Sequence, residues 1–201
     1  MQMQNGFGLK DTPLNRLAWI ILDWRIEFIS RPLWNTKIHI KTWASKIDMV
    51  SCHRDFEVTD AQGEKVAIAS SKWVLLDIDT HHITKITPEI QSAFEPICAS
   101  VFETEKEKLK EPDSYESSFE YSILKRDIDT NKHLNNLNYV MLAKEALPRI
   151  TDFSQIEVMY KHQCLLGDKV IFLCHEEDDG YVVALRNTDT NMLHAVIRFG
   201  L

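Results

Sequence analysis

No apolar run in the sequence is long enough to cross a bilayer. The longest candidate, Leu17 to Leu22, is closed by Asp23, far short of the roughly 20 residues a spanning helix needs. Glycine and proline are scarce, six of each in 201 residues, and 44% hydrophobic with 26% charged residues excludes a collagen-like or disordered chain. Cysteine is scarce too. Cys52, Cys98, Cys164 and Cys174 are scattered without a Cys-x-x-Cys pair or a metal-ligand spacing. A disulfide-stapled miniprotein is thereby excluded, and reduced thiols in a cytoplasmic protein are the expectation. Basic charge is in deficit, 23 Lys+Arg against 30 Asp+Glu for a net −7. That sign disfavours general nucleic-acid or anionic-membrane binding and stays compatible with a local basic patch. The opening Met1-Gln2-Met3-Gln4-Asn5 has neither a basic patch nor an apolar core and is not expected to be a signal peptide.

What is present is mostly strand pattern. Leu17 to Ile29 is apolar, with charges admitted at Asp23, Arg25 and Glu27, and reads as one long strand. Lys37-Ile38-His39-Ile40-Lys41 alternates with period two, as a half-buried strand does. Arg54 to Thr59 and Lys65 to Leu76 read as a hairpin whose turn, Asp60-Ala61-Gln62-Gly63, has glycine where a positive φ is wanted. Glu103 to Ser117 is charged and broken by Pro112, which predicts a solvated linker. Beyond it, Phe119 to Lys125 reads as a strand and Asn136 to Leu147 as a short helix stopped by Pro148. Ile156 to Cys164, Lys169 to His175, Tyr181 to Asn187 and Met192 to Phe199 read as strands.

The two halves overlay. Trp34 to Ile38 lies over Leu166 to Val170, and Phe56 to Ala67 over Ala184 to Ala195, each pairing strand, turn and strand in one order. A strand, a short helix and four further antiparallel strands make a hotdog, a sheet wrapped around one central helix. The fold class expected is therefore α+β, a tandem (double) hotdog. Its parts are an N-terminal hotdog over residues 1–102, a charged linker over 103–117 and a C-terminal hotdog over 118–201. The overlay sets the counterpart of the 136–147 helix near residues 4–15 and that of the 119–125 strand before residue 1. The first hotdog is thus expected to lack its opening strand and part of its helix, with Asn5-Gly6 as a helix C-cap.

Arg126 to Tyr139 concentrates two carboxylates, a histidine and four carboxamides between a predicted strand and a predicted helix. One reading is an Asx-rich loop in which Asn135 caps the helix. Capping accounts for one asparagine and leaves Asp129, Asn131 and His133, whose alternation sets three polar heads to one side of an extended loop. An EF-hand calcium loop is a poor fit, since it needs Gly at its sixth position and Glu at its twelfth. Neither a metal nor a cofactor is expected, and His81, His82 and His175 read as surface residues.

Asp129-x-Asn131-x-His133-x-Asn135-Asn136-x-x-Tyr139 resembles the signature of the acyl-ACP thioesterases, the plant plastid enzymes and their bacterial relatives. Tyr160-Lys161-His162-Gln163-Cys164, followed by Gly167-Asp168, is similar to that family's Tyr-Arg-Arg-Glu-Cys strand. Trp34, Thr42-Trp43, Arg54-Asp55-Phe56 and Ala69 to Val74 extend the likeness from about Gly6 to Leu201. The resemblance implies hydrolysis of a fatty acyl thioester on acyl carrier protein, releasing free fatty acid in fatty acid biosynthesis. It implies Asp129, Asn131 and His133 as catalytic residues, with Gln163 in place of the family's Glu. A carboxamide cannot take a proton at neutral pH, so Gln163 can orient water or substrate and cannot be the base.

In this reading Asp129 and His133 activate water while Asn131 holds the thioester carbonyl or the Asp129 side chain; direct attack by Asp129 stays open. The helix start at Asn135 and Asn136 would give the oxyanion its N–H donors. Cys164 reads as a buried strand thiol rather than a nucleophile. The first hotdog, which holds all five tryptophans, would line the acyl chain while the second carries the chemistry. Acyl carrier protein is acidic, so Lys125, Arg126, Lys132 and Lys161 are the docking candidates. It is the expected partner as acyl donor, with no nucleic acid and no membrane, and a homodimer is left open. The alternatives are an acyl-CoA thioesterase and a non-catalytic acyl-binding hotdog protein.

Overall fold

Residues 16–104, 106–149 and 152–201 are described by the structure, a computed structural model. They fall into two compact units that divide at residue 105. In the first, β1 (Leu17–Phe28), β2 (His39–Ile47), β3 (Ser51–Thr59) and β4 (Lys65–Asp77) form an antiparallel sheet in the order β2-β3-β4-β1. A two-residue strand, β5 (Ile83–Thr84), pairs with β4. Helix α1 (Pro88–Phe94) was not anticipated, although its start is legible. The Thr87 side chain caps the Ile90 N–H at 3.4 Å, and proline opens the first turn, where its missing N–H costs nothing. Ile90 anchors it in a core with Ala44, Cys52, Leu75 and Ile86. Of the five tryptophans in this unit, Trp34 is 99% exposed, and Trp19, Trp24, Trp43 and Trp73 are half-buried.

The second unit contains β6 (Ser117–Ser122), α2 (Asn136–Ala143), β7 (Gln155–Tyr160), β8 (Lys169–Glu177), β9 (Gly180–Asn187) and β10 (Leu193–Gly200). Its antiparallel sheet runs β6-β8-β9-β10-β7, and α2 lies against β10. Val183, Ala184 and Leu185 of β9 are buried alongside Ala195, Val196 and Ile197 of β10, so the unit's core sits on its two middle strands.

The duplication holds at the level of single bonds. The order β2-β3-β4-β1 reappears as β8-β9-β10-β7. The turn before β2 closes from the Thr36 N–H to the Leu33 carbonyl (3.1 Å) with Asn35 at φ 67, and its counterpart from Asp168 to Leu165 (3.2 Å) with Gly167 at φ 89. The two hairpins each carry one left-handed residue, Gly63 and Asn191. In each unit one bulge carbonyl takes two N–H groups: Val66 from Ile29 (2.9 Å) and Ser30 (3.1 Å), His194 from Lys161 (2.8 Å) and His162 (3.2 Å). The architecture is the α+β tandem hotdog. The helix and strand expected to be incomplete in the first unit fall near or before residues 4–15, outside the described residues.

The structure differs from the sequence reading in several places: β2 runs from His39 to Ile47 where Lys37 to Lys41 was expected, α2 stops at Ala143 with Lys144–Ala146 a 3-10 turn, and two strand ends and the charged run depart as follows. β6 stops at Ser122, and Lys125–Asp127 is a 3-10 turn rather than strand. β7 stops at Tyr160, because the next two N–H groups leave the ladder for the His194 carbonyl. The charged run is not simply solvated: Glu111 accepts two bonds from Arg186 (2.6 Å each) and one from the Tyr115 hydroxyl (2.7 Å).

Candidate active site

Between β6 and α2 the chain folds around one buried carboxylate. Asp127 accepts the Tyr121 hydroxyl (3.0 Å) and the Leu124 N–H (2.8 Å) on Oδ2. Its carbonyl accepts the Asn135 N–H (2.8 Å) and Asn138 Nδ2 (3.1 Å), which ties the turn to the start of α2. Sequence reasoning counted Asp127 in the polar stretch without giving it a role. Its signal was a second carboxylate two residues before Asp129, where the backbone has to leave a strand and needs acceptors.

From Ile128 to Leu134 the chain doubles back. Ile128 pairs with Leu134, the Asp129 N–H reaches the His133 carbonyl (2.9 Å), and the Lys132 N–H reaches that of Asp129 (3.1 Å). Lys132 takes φ 65 to close the turn. The loop is therefore not extended, and the alternation argument for three heads on one side does not apply. Asp129 Oδ1 instead collects the Asn131 N–H (2.8 Å) and the His133 N–H (3.3 Å), an Asx turn that holds the carboxylate inside its own loop. Asp129 and His133 are half-buried; Asn131 is exposed at the tip.

A second segment runs beside this turn. His133 pairs with Leu165, the Leu134 N–H bonds the Cys164 carbonyl (2.9 Å), and the Cys164 N–H bonds the Tyr139 hydroxyl (3.1 Å). Gln163 is thereby brought to the neighbouring segment, exposed in a bend after β7 and not on the strand expected for it. Tyr139 and Tyr160 meet edge to face at 5.2 Å, and burial pushes both phenols up. Cys164 is fully buried, and burial pushes its thiol up to about 12, so it stays protonated at neutral pH and is no nucleophile.

Asn135 caps α2, its Oδ1 accepting the Leu137 N–H (2.9 Å), while its own N–H is committed to Asp127 and its carbonyl takes Asn138 N–H (2.8 Å). The Asn136 N–H is the donor these bonds leave unused, so of the two expected donors only Asn136 is available. Lys125, Arg126, Lys132 and Lys161 are all exposed on the segments flanking the turn, and Arg126 also reaches the Tyr121 hydroxyl (3.3 Å). His81 and His82 are exposed, and His175 bonds Glu116 (3.1 Å). Among the described residues no three His, Cys, Asp or Glu side chains are grouped to hold a metal ion, and no helix is long and apolar enough to cross a membrane.

The profile of the acyl-ACP thioesterase N-terminal domain matches residues 3–94, and that of the C-terminal domain residues 110–198. Oleoyl-acyl carrier protein thioesterase 2, chloroplastic, of Arabidopsis thaliana is 29% identical over 190 residues, 87% of this chain and 52% of its own. The palmitoyl-acyl carrier protein thioesterase, chloroplastic, of Cuphea hookeriana is 26% identical over 80% of this chain and 41% of its own. The chain thus spans about half the length of the curated relatives it matches. Among solved structures, an acyl-ACP thioesterase from Bacteroides thetaiotaomicron superposes with a TM-score of 0.87 at 21% identity, covering 98% of this chain and 82% of that one. The 12:0-ACP thioesterase from Umbellularia californica superposes at 0.81 with 20% identity, covering 98% and 80%.

Proposed function

The chain belongs to the acyl-ACP thioesterase family, and on that premise we propose that it hydrolyses the thioester of an acyl group carried by acyl carrier protein. The observation that carries this is the Asp129 carboxylate, half-buried and oriented through Oδ1 by the N–H groups of Asn131 and His133. In this reading Oδ2 is the oxygen that serves the chemistry. Asp129 and His133 hold a water and take its proton, and the water oxygen bonds the thioester carbonyl carbon. Asn131 orients that carbonyl, and the Asn136 N–H meets the negative charge that develops on its oxygen, aided by the positive end of α2. Collapse breaks the C–S bond, the sulfur leaves with a proton as a free thiol, and the acyl group leaves as a fatty acid. Gln163 orients and does not titrate.

Trp24, Ile26, Phe28, Phe56, Val58 and Ala67 share one face of the first unit's sheet, and with the Trp24 and Phe56 rings in tilted contact at 5.1 Å they form the half-buried apolar wall that suits an acyl chain. Lys125, Arg126, Lys132 and Lys161 receive the acidic carrier. Cysteines free of disulfides suit a reducing compartment such as the cytoplasm.

The test is Asp129→Asn, which keeps an oxygen for both N–H groups and so spares the turn. Thiol release from acyl-ACP is expected to fall about 10²–10⁴-fold with the melting temperature unchanged. Retained turnover overturns the catalytic role of Asp129. A wild-type protein that releases thiol from neither acyl-ACP nor acyl-CoA overturns the hydrolase reading itself.

A further inference from the structure

We propose that His194 is a positioning residue for this hydrolysis, one that holds the His162 carbonyl and thereby fixes the bend presenting Gln163. The proposal rests on the thioesterase reading for its kinetic consequence and on geometry for the rest. His194 is fully buried in a bulge of β10, where the pairing with β9 shifts register between Leu193 and Ala195. Bulges re-aim side chains, and here the imidazole Nδ1 lies 3.1 Å from the His162 carbonyl oxygen. A carbonyl only accepts, so Nδ1 carries the proton and Nε2 keeps a lone pair. That Nε2 is buried with no partner among the described residues. A buried acceptor left unpaired is destabilising, so stability alone is a poor reason to keep an imidazole here.

The first unit is an internal comparison. Val66 occupies the same bulge, is buried as well, and its carbonyl takes the Ile29 and Ser30 N–H groups just as that of His194 takes those of Lys161 and His162. The bulge and its paired bonds therefore need no imidazole; valine suffices. What the second unit adds is the side-chain bond to His162, in the copy whose bend leads to Gln163. In the first unit the same bend leads to Arg31 and Pro32.

The consequence follows from peptide planarity. The His162 carbonyl belongs to the same rigid plane as the Gln163 N–H, so fixing one fixes the other. The plane on the far side of Gln163 ends in the Cys164 N–H, which the buried Tyr139 hydroxyl holds at 3.1 Å. Each plane flanking Gln163 is thus pinned by a buried ring, one from β10 and one from α2. An exposed carboxamide on an unpinned bend would sample many directions; on this one its backbone is set before substrate arrives.

The experiment uses the full chain with His194→Val and His194→Asn. Valine is the first unit's own residue at this position, so that variant is expected to fold. It should lose about tenfold or more in kcat on acyl-ACP with KM within about twofold, and amide exchange at His162 and Cys164 should quicken. Asparagine places an N–H the same number of bonds from the backbone as Nδ1, and should restore most of kcat and the slow exchange. Wild-type kcat in His194→Val, or a loss that leaves exchange unchanged, overturns the proposal. If the wild-type protein releases no thiol, the hydrolase reading fails on its own. The exchange rates then still decide the structural claim: quickening in His194→Val upholds the pinned bend, and unchanged rates overturn it.

Discussion

Gln163 stands, exposed, at the position where the resembled family has a carboxylate, and its side chain adds no acid or base to the proposed pair Asp129 and His133. Gln163→Glu should therefore add an acid limb to the pH profile of kcat, near the ordinary glutamate range of about 4–5, and raise turnover at neutral pH severalfold. An unchanged profile would confine the residue to orienting substrate. Asp127 is the opposite kind of acid, buried and tied into the fold through Oδ2. Asp127→Ala strands the Tyr121 hydroxyl and the Leu124 N–H, which should cost about 2–4 kcal/mol in urea unfolding, whereas Asp127→Asn keeps an acceptor and should cost less. Burial holds the His194 imidazole below its ordinary pKa. As pH falls through about 6.5 the unfolded chain takes this proton before the folded one does, so stability is present above that pH and is lost below it. The slope of unfolding free energy against pH between about 5 and 6.5 should accordingly be shallower in His194→Val; equal slopes would mean the folded imidazole titrates normally.

At the scale of elements, the segment over residues 97–104 has neither helix nor strand, yet it is fastened to the first sheet at several points, beginning with the Ile97 N–H on the Ala44 carbonyl (2.8 Å). Trp43 Nε1 bonds the Ala99 carbonyl (2.8 Å), the Val101 N–H bonds Asp55 Oδ2 (2.9 Å), and Arg25 lies over the Phe102 ring at 4.0 Å. Asp55 is the centre, 1% exposed and also accepting the Ser45 (2.9 Å) and Ser70 (2.7 Å) hydroxyls. Asp55→Ala should cost about 2–4 kcal/mol and quicken exchange of the Val101 amide; a cost under about 1 kcal/mol would mean that water takes over the three donors. None of this is visible in the sequence, where Asp55 is one charge in an alternating strand. The long strands and the hairpins were legible because apolar runs, period-two alternation and turn residues such as Gly63 report on backbone geometry directly. Tyr160 as the end of β7 was not, since it is set by a carbonyl in β10 more than thirty positions away. The turn at Asp129 to His133 was misread for a related reason. Its left-handed residue is Lys132, which carries none of the glycine or asparagine signal that marks such a bend, and so the candidate residues could be named from the sequence while their arrangement could not.

For the molecule as a whole, the net charge of −7 works against the proposed docking of an acidic carrier, because two negative bodies repel at long range. The candidates that could offset this at the site are Lys125, Lys132 and Lys161, each exposed and each on a segment that borders the Asp129 turn: the 3-10 turn after β6, the turn itself, and the bend after β7. Arg126 is less free to serve, since it also bonds the Tyr121 hydroxyl and lies near Asp127. Exposed lysines of this kind contribute by steering and are screened over a Debye length of about 8–10 Å at physiological salt. Their effect should therefore appear in KM and in its salt dependence, with kcat untouched. Replacing all three by glutamate is expected to raise KM for acyl-ACP about tenfold at low ionic strength, with the difference shrinking as salt is added. The turnover of an uncharged acyl-pantetheine thioester should not change, because it has no acidic surface to steer. If the uncharged substrate suffers equally, the lysines act on the chemistry or the fold; if neither substrate is affected, the carrier docks on another surface.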